Sequence, residues 1–146
     1  MNAKKTLDYG PLTDMIGVEL RLAQSHAERV FHNHIKDNLL PGHLTVLVLI
    51  HNNPGLSQSA IATAAGLDRS SLVPVLKNFE KEKLIRRKPS STDKRSNVMT
   101  ITPKGETVIE QMLPQIRALE NDAIKCLGRR KYTQLISLLK DFRKLK

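Results

Sequence analysis

The stretch DRSSLVPVLKN, residues 68–78, sets a carboxylate, a guanidinium, two hydroxyls and an ammonium close together, but not a nucleophile and base at the spacing an enzyme needs. These groups suit hydrogen bonding to an anionic surface rich in donors and acceptors. Small hydroxyls such as Ser70 and Ser71 bond bases or phosphates, Arg69 can fork onto a guanine edge, and Val73 or Pro74 can touch a thymine methyl. If the stretch is helical and Leu72 and Leu76 are buried, a step of about 100° per residue turns Ser70, Val73, Pro74, Lys77 and Lys81 outward, with Arg69 and Ser71 beside them. Pro74 is costly inside a helix, about 3 kcal/mol, and within the second turn it either bends the helix along a groove or is tolerated strain.

A second cluster lies in STDKRSNVMTITPKG, residues 91–105. Asp93, Lys94 and Arg95 form a turn too polar to exist for packing. From residue 81 to residue 95 seven Lys or Arg face two acids, a net of +5 out of +10 for the chain. Lys88, Lys94 and Arg95 can neutralise phosphates or enter a narrow minor groove. Asp93, two residues before Arg95, can pair with it and aim its guanidinium.

The elements that must position these groups follow from periodicity. Leu12, Ile16, Leu20, Ala23, Ala27, Val30, Phe31 and Ile35 step by threes and fours, which predicts an amphipathic helix over about 11–38. LLPGH breaks it, and residues 44–50 are apolar nearly all round, as in a buried helix, though a strand fits too. NNPG is a turn, Ser57 caps a short helix ending at Gly66, and Asp68 caps the next, with Leu72, Val75, Leu76 and Phe79 as its core stripe. Residues 84–88 and 97–102 alternate as a hairpin around the charged turn. Val98 and Thr100 then face one way, and Asn97, Met99 and Ile101 the other. Thr102 caps a long helix opened by Pro103, and Gly128 separates it from a last helix.

Two short helices joined by AAGLD and followed by a basic hairpin make a winged helix-turn-helix. The expected fold is mainly α (α+β), with long terminal helices and a two-stranded wing. In such a motif the second helix enters the major groove while the first braces it against the backbone. Ser57 and Gln58, opening the first helix, join the candidate DNA contacts on that basis.

Composition agrees. A net charge of +10 with pI ≈ 10.0 favours nucleic acid, an anionic membrane surface or an acidic ligand. One cysteine, Cys126, excludes an intramolecular disulfide framework and suits a reducing cytoplasm. No apolar run approaches the roughly 18 residues of a membrane span, and the N-terminus lacks the apolar region of a signal peptide. The expectation is a soluble cytoplasmic protein.

DKRSNVMTITPKG resembles the wing signature of the MarR family of bacterial regulators, Asp-x-Arg followed by an apolar-Thr pair and a helix-starting Gly. Asp93, Arg95, Ile101, Thr102 and Gly105 occupy those positions, with Ser96 and Ile101 as small departures from the common residues. GLSQSAIATAAGLDRSSLVPVLKNFEKEKLIRR is similar to the family's helix-turn-helix. The resemblance implies one domain over 1–146, with residues 11–38 and 103–146 as dimerisation helices and 41–102 as the DNA-binding lobe. It implies a homodimer on a pseudo-palindromic operator, repression, and a small-molecule pocket between the dimerisation helices and the lobe. The DRSSLVPVL style of helix resembles that of members sensing aromatic carboxylates or their coenzyme A thioesters. Arg21, His26, Arg29 and His43 are the residues that could anchor such an anionic effector, although surface or helix-pairing roles fit them equally.

Other classes fit less. No nucleophile and base, paired carboxylates or ligand cluster stands at the spacing an enzyme needs, and no cofactor is expected. His32 and His34 point apart on a helix, so metal sensing would need His26 or Asp37 as well. Cys126, beside basic residues, is a redox candidate of the kind more often found as inert packing. The basic tail after Gly128, seven cations against one acid, fits a solvated face, a cradle for ligand phosphates or contact with DNA backbone. A winged-helix module for protein or RNA is the alternative outside this class.

Overall fold

The computed structural model describes residues 8–35, 39–89 and 97–145. Its contacts divide the chain into two units, Met1–Lys36 and Asp37–Lys146. In the first, a 3-10 turn, Gly10–Leu12, precedes helix α1, Ile16–His34. The helix expected from residue 11 therefore begins later. Thr13 leaves helical space at ψ 140°, and Asp14 has φ +66°, a left-handed conformation that an α-helix of L-residues does not propagate. Ile35 is extended at the other end, and the expectation for residues 36–38 lies outside the described residues.

The second unit opens with α2, Pro41–Asn52, a helix and not a strand. Proline stands at its start, where the absent N–H costs nothing. Strand β1, Leu56–Ser57, leads into α3, Gln58–Ala65, whose C-cap Gly66 adopts φ +67°. Helix α4, Arg69–Lys81, strands β2, Ile85–Pro89, and β3, Asn97–Ile101, and helices α5, Pro103–Leu127, and α6, Arg129–Phe142, follow. The sheet is antiparallel in the order β1-β3-β2. The two-stranded wing is thus joined by a third strand, because Leu56 pairs with Met99 and Ser57 with Val98.

Val46, Leu47 and Ile50 of α2, Ile61 of α3, Leu72, Leu76 and Phe79 of α4, Met99 of β3 and Met112 of α5 are all fully buried. Each contributes about 1.5–3 kcal/mol of burial, which anchors α4 by one face and leaves the other free. Val75 completes the stripe, as its spacing predicts.

The α4–β2 corner is stapled to the β3–α5 corner by Thr102, 6% exposed. Its amide donates to the Leu84 carbonyl at 3.0 Å, and its hydroxyl lies 2.7 Å from the Lys83 carbonyl and 3.0 Å from that of Leu84. The same oxygen accepts the Gly105 amide at 3.1 Å and caps α5. Gly105 is packed so tightly that a Cβ there would meet the Leu84 carbonyl oxygen at 2.3 Å and Ile101 Cδ1 at 2.6 Å. The Ile-Thr-x-x-Gly pattern is therefore a corner joint that fixes the base of the hairpin to the end of α4.

Candidate nucleic-acid interface

Arg69, Ser70, Ser71, Pro74 and Lys77 are all exposed along one side of α4, and Val73 is half-buried at its edge. Asn78 and Lys81 extend the same exposed face. The outward stripe expected from the burial of Leu72 and Leu76 is present, and α4 continues past Pro74 as one helix.

Asp68 caps this helix and organises its first turn. Oδ1 accepts the Ser71 amide at 2.7 Å and the Ser70 hydroxyl at 2.6 Å, while Oδ2 accepts the Ser71 hydroxyl at 3.0 Å. These bonds, the Ser70 hydroxyl's first, lower the Asp68 carboxyl from 3.8 to about 2. Sequence periodicity marks Asp68 only as a cap, and its hold on both hydroxyls emerges from the side-chain geometry.

Ser57 and Gln58 are half-buried at the start of α3, where the Ser57 hydroxyl accepts the Ala60 amide at 3.2 Å and lies 3.1 Å from the Ser59 hydroxyl. On the wing, Lys88 is exposed and pairs with Val98 across β2 and β3. Asp93, Lys94 and Arg95 lie outside the described residues.

Two wing cations escaped the candidate set. Arg86 is exposed and pairs with Thr100, on the strand face that also carries Lys88. Arg87, opposite buried Met99, turns to the other face and forks onto Glu80 of α4, at 3.1 and 3.0 Å. The usable signal is an acid in the last turn of the helix and an arginine seven positions on in the strand.

The effector candidates lie on two elements. Arg21, His26 and Arg29 are exposed on α1, where Arg29 donates to the Ser25 hydroxyl at 3.2 Å. Arg21 also borders an open groove of about 480 Å³ with Gly17, Leu20 and Glu28. His43 is half-buried on α2 and stacks edge to face against Phe79 of α4, ring centres 6.1 Å apart. Burial lowers its pKa from the ordinary histidine value, because desolvation disfavours the charged imidazolium.

Among the described residues no three His, Cys, Asp or Glu side chains gather as a metal site. His34 is instead bonded to the Val30 carbonyl at 2.8 Å, and Cys126 is exposed. No helix among the described residues is long and apolar enough to cross a membrane.

Comparison with known proteins agrees with this geometry. Residues 39–97 match the model of the MarR family. The chain is 36% identical over 136 residues to a protein assigned to transcriptional regulation of the hcr operon in Thauera aromatica, covering 92% of this chain and 82% of that one. It superposes with a TM-score of 0.85 on the transcriptional repressor CouR bound to a 23-mer DNA duplex, at 29% identity over 94% of this chain and 99% of that one. CouR bound to p-coumaroyl-CoA is similar at 27% identity and a TM-score of 0.85, covering 97% and 100% of the two chains. With its outward helical stripe, basic strand and corner joint, the chain belongs to the MarR family of winged-helix, DNA-binding transcriptional regulators.

Proposed function

We propose that this regulator is a ligand-responsive repressor that binds a pseudo-palindromic operator as a homodimer and is released by an aromatic carboxylate or its coenzyme A thioester. The observation that carries the DNA half is α4, anchored by Leu72, Leu76 and Phe79 and presenting Arg69, Ser70, Ser71, Pro74 and Lys77 outward. Exposed base-reading groups on a rigid helix, flanked by Arg86 and Lys88 on β2, are what a major groove and its phosphates require. Residues 41–102 act as the DNA-binding lobe, in which Ser57, Gln58, Lys94 and Arg95 supply further contacts and Asp93 aims the Arg95 guanidinium.

The dimer rests on apolar side chains left in solvent at both chain ends. Leu12 and Ile16 are 46% and 55% exposed, and Leu135 and Leu138 of α6 are 44% and 57% exposed. Residues 11–38 and 103–146 are the dimerisation helices of a single domain over 1–146, and their pairing with a second copy gives a two-fold axis that matches the operator. The effector class is supported by the likeness to CouR bound to p-coumaroyl-CoA. Arg21, His26 and Arg29 on α1, and separately His43 on α2, are the candidates for anchoring its anionic group.

The test is selection of duplexes from a random pool, followed by titration of the selected sequence with aromatic acids and their coenzyme A thioesters. The proposal expects a two-fold sequence with half-sites about 10 bp apart, and release by one of these ligands. A selected sequence without two-fold symmetry would count against the dimer, and indifference to every such ligand against the effector class.

A further inference from the structure

Base recognition by α4 carries a polarity fixed within the protein. Asp68 engages both hydroxyl protons at the tip of the helix, Ser70 at 2.6 Å and Ser71 at 3.0 Å. A serine hydroxyl has one proton and two lone pairs, so once the proton is spent on a carboxylate the oxygen has only lone pairs left to present. Asp68 Oδ2 accepts one of these bonds and keeps a lone pair of its own. All three residues are exposed, and their protons cannot be turned outward without breaking charge-assisted bonds.

In the major groove only the exocyclic amino groups, cytosine N4 and adenine N6, donate; guanine O6 and N7 and thymine O4 accept. We infer that Ser70 and Ser71, with their protons held by Asp68, are specificity-determining acceptors that select a cytosine or adenine amino group and reject guanine and thymine edges at the base pair they meet. Arg69, exposed beside them, is the side-chain donor of this turn and takes the complementary task of reading a guanine. The first turn thus reads opposite polarities with adjacent residues, which suits a step where a purine acceptor edge neighbours an amino group.

This inference rests on α4 being the major-groove reader, and the experiment separates the two. In the selected operator, each half-site cytosine is replaced by 2-pyrimidinone and each adenine by purine, which deletes the amino group alone, and each guanine by 7-deazaguanine, which deletes N7. Binding is titrated at fixed salt for the wild type, Ser71→Ala, Ser70→Ala and Asp68→Asn. Ser71→Ala keeps the cap, because the Ser71 amide bond to Oδ1 is untouched, and asparagine is itself a good cap.

Deleting the amino group beneath the tip should weaken the wild type at least about fivefold, and should cost the matching serine-to-alanine variant almost nothing. In Asp68→Asn the side-chain amide can donate to the Ser71 oxygen and turn its proton outward, so tolerance should shift toward guanine or thymine at that pair. Wild-type binding that is indifferent to every amino deletion but sensitive to N7 deletion alone would overturn the inference and leave α4 as the reader. Selective binding that no α4 variant changes would overturn both.

Discussion

Arg87 of β2 grips Glu80 of α4 with both arms of its guanidinium, Nε to Oε1 at 3.1 Å and Nη2 to Oε2 at 3.0 Å. The pair bridges the helix that carries the exposed stripe and the strand that carries Arg86 and Lys88, so it fixes the angle between the two parts that, on the proposed reading, meet one duplex together. Both side chains are about one-third exposed, which limits its worth to about 1 kcal/mol even with bidentate geometry. Glu80→Gln and Arg87→Met should each lower unfolding free energy by about that amount in urea, and the double variant should lose less than their sum. Strictly additive losses would show that the fork carries no coupling.

Gly105 gives a sharper stability prediction. Alanine there drives a methyl into the Leu84 carbonyl, which is backbone and cannot rotate away. Gly105→Ala should cost about 1–3 kcal/mol and lower the melting temperature by several degrees. Gly42→Ala, at an α2 position where a Cβ meets nothing within 4 Å, serves as the control and should be near neutral or mildly stabilising. A Gly105→Ala protein melting with the wild type would remove the corner joint from the account.

Much of this was legible because period and capping chemistry share one physical cause. The stripe Leu72, Val75, Leu76 and Phe79 is buried as its spacing implies, and Ser57, Asp68 and Thr102 each accept a backbone amide as their positions implied. What escaped depends on tertiary pairing. Strand β1 is two residues long, too short for any alternation, and exists because Gly55, Leu56 and Ser57 meet β3. The start of α1 is set by Asp14 at φ +66°, which an apolar period does not report. The Glu80–Arg87 fork needs the β2 register, and the orientation of the Ser70 and Ser71 hydroxyls needs three-dimensional placement of one carboxylate.

The Asp68 cap makes stability depend on pH in one direction. Its folded pKa, about 2, lies below the ordinary 3.8, so its contribution is complete above the ordinary value and is lost as pH falls through the folded one. The difference in unfolding free energy between wild type and Asp68→Ala should be flat from about pH 7 to about pH 5 and shrink toward about pH 2. A difference that shrank as pH rose would contradict the sign.

The helix after Gly128 carries Leu135, Ile136, Leu138 and Phe142 in solvent, and on the proposed reading a second copy covers them. Removing residues 129–146 should give monomers or aggregates in sedimentation and abolish operator binding. A truncated protein that sediments as a dimer and binds normally would move the interface elsewhere.

The central claim is that α4 reads bases while β2 and β3 hold the backbone. It is tested most directly by titrating wild type, Arg69→Ala and Lys88→Ala against the selected operator and its single-base substitutions at fixed salt. Lys88→Ala should weaken binding to all of these duplexes by similar factors and flatten the salt dependence by about one phosphate, near 0.9 in log K per log salt. Arg69→Ala should erase discrimination at one or two symmetric base pairs, worth about 1–3 kcal/mol. If Lys88→Ala changed base preference while Arg69→Ala weakened every duplex equally, the strand would be the reader and the helix the brace, and the account would be contradicted.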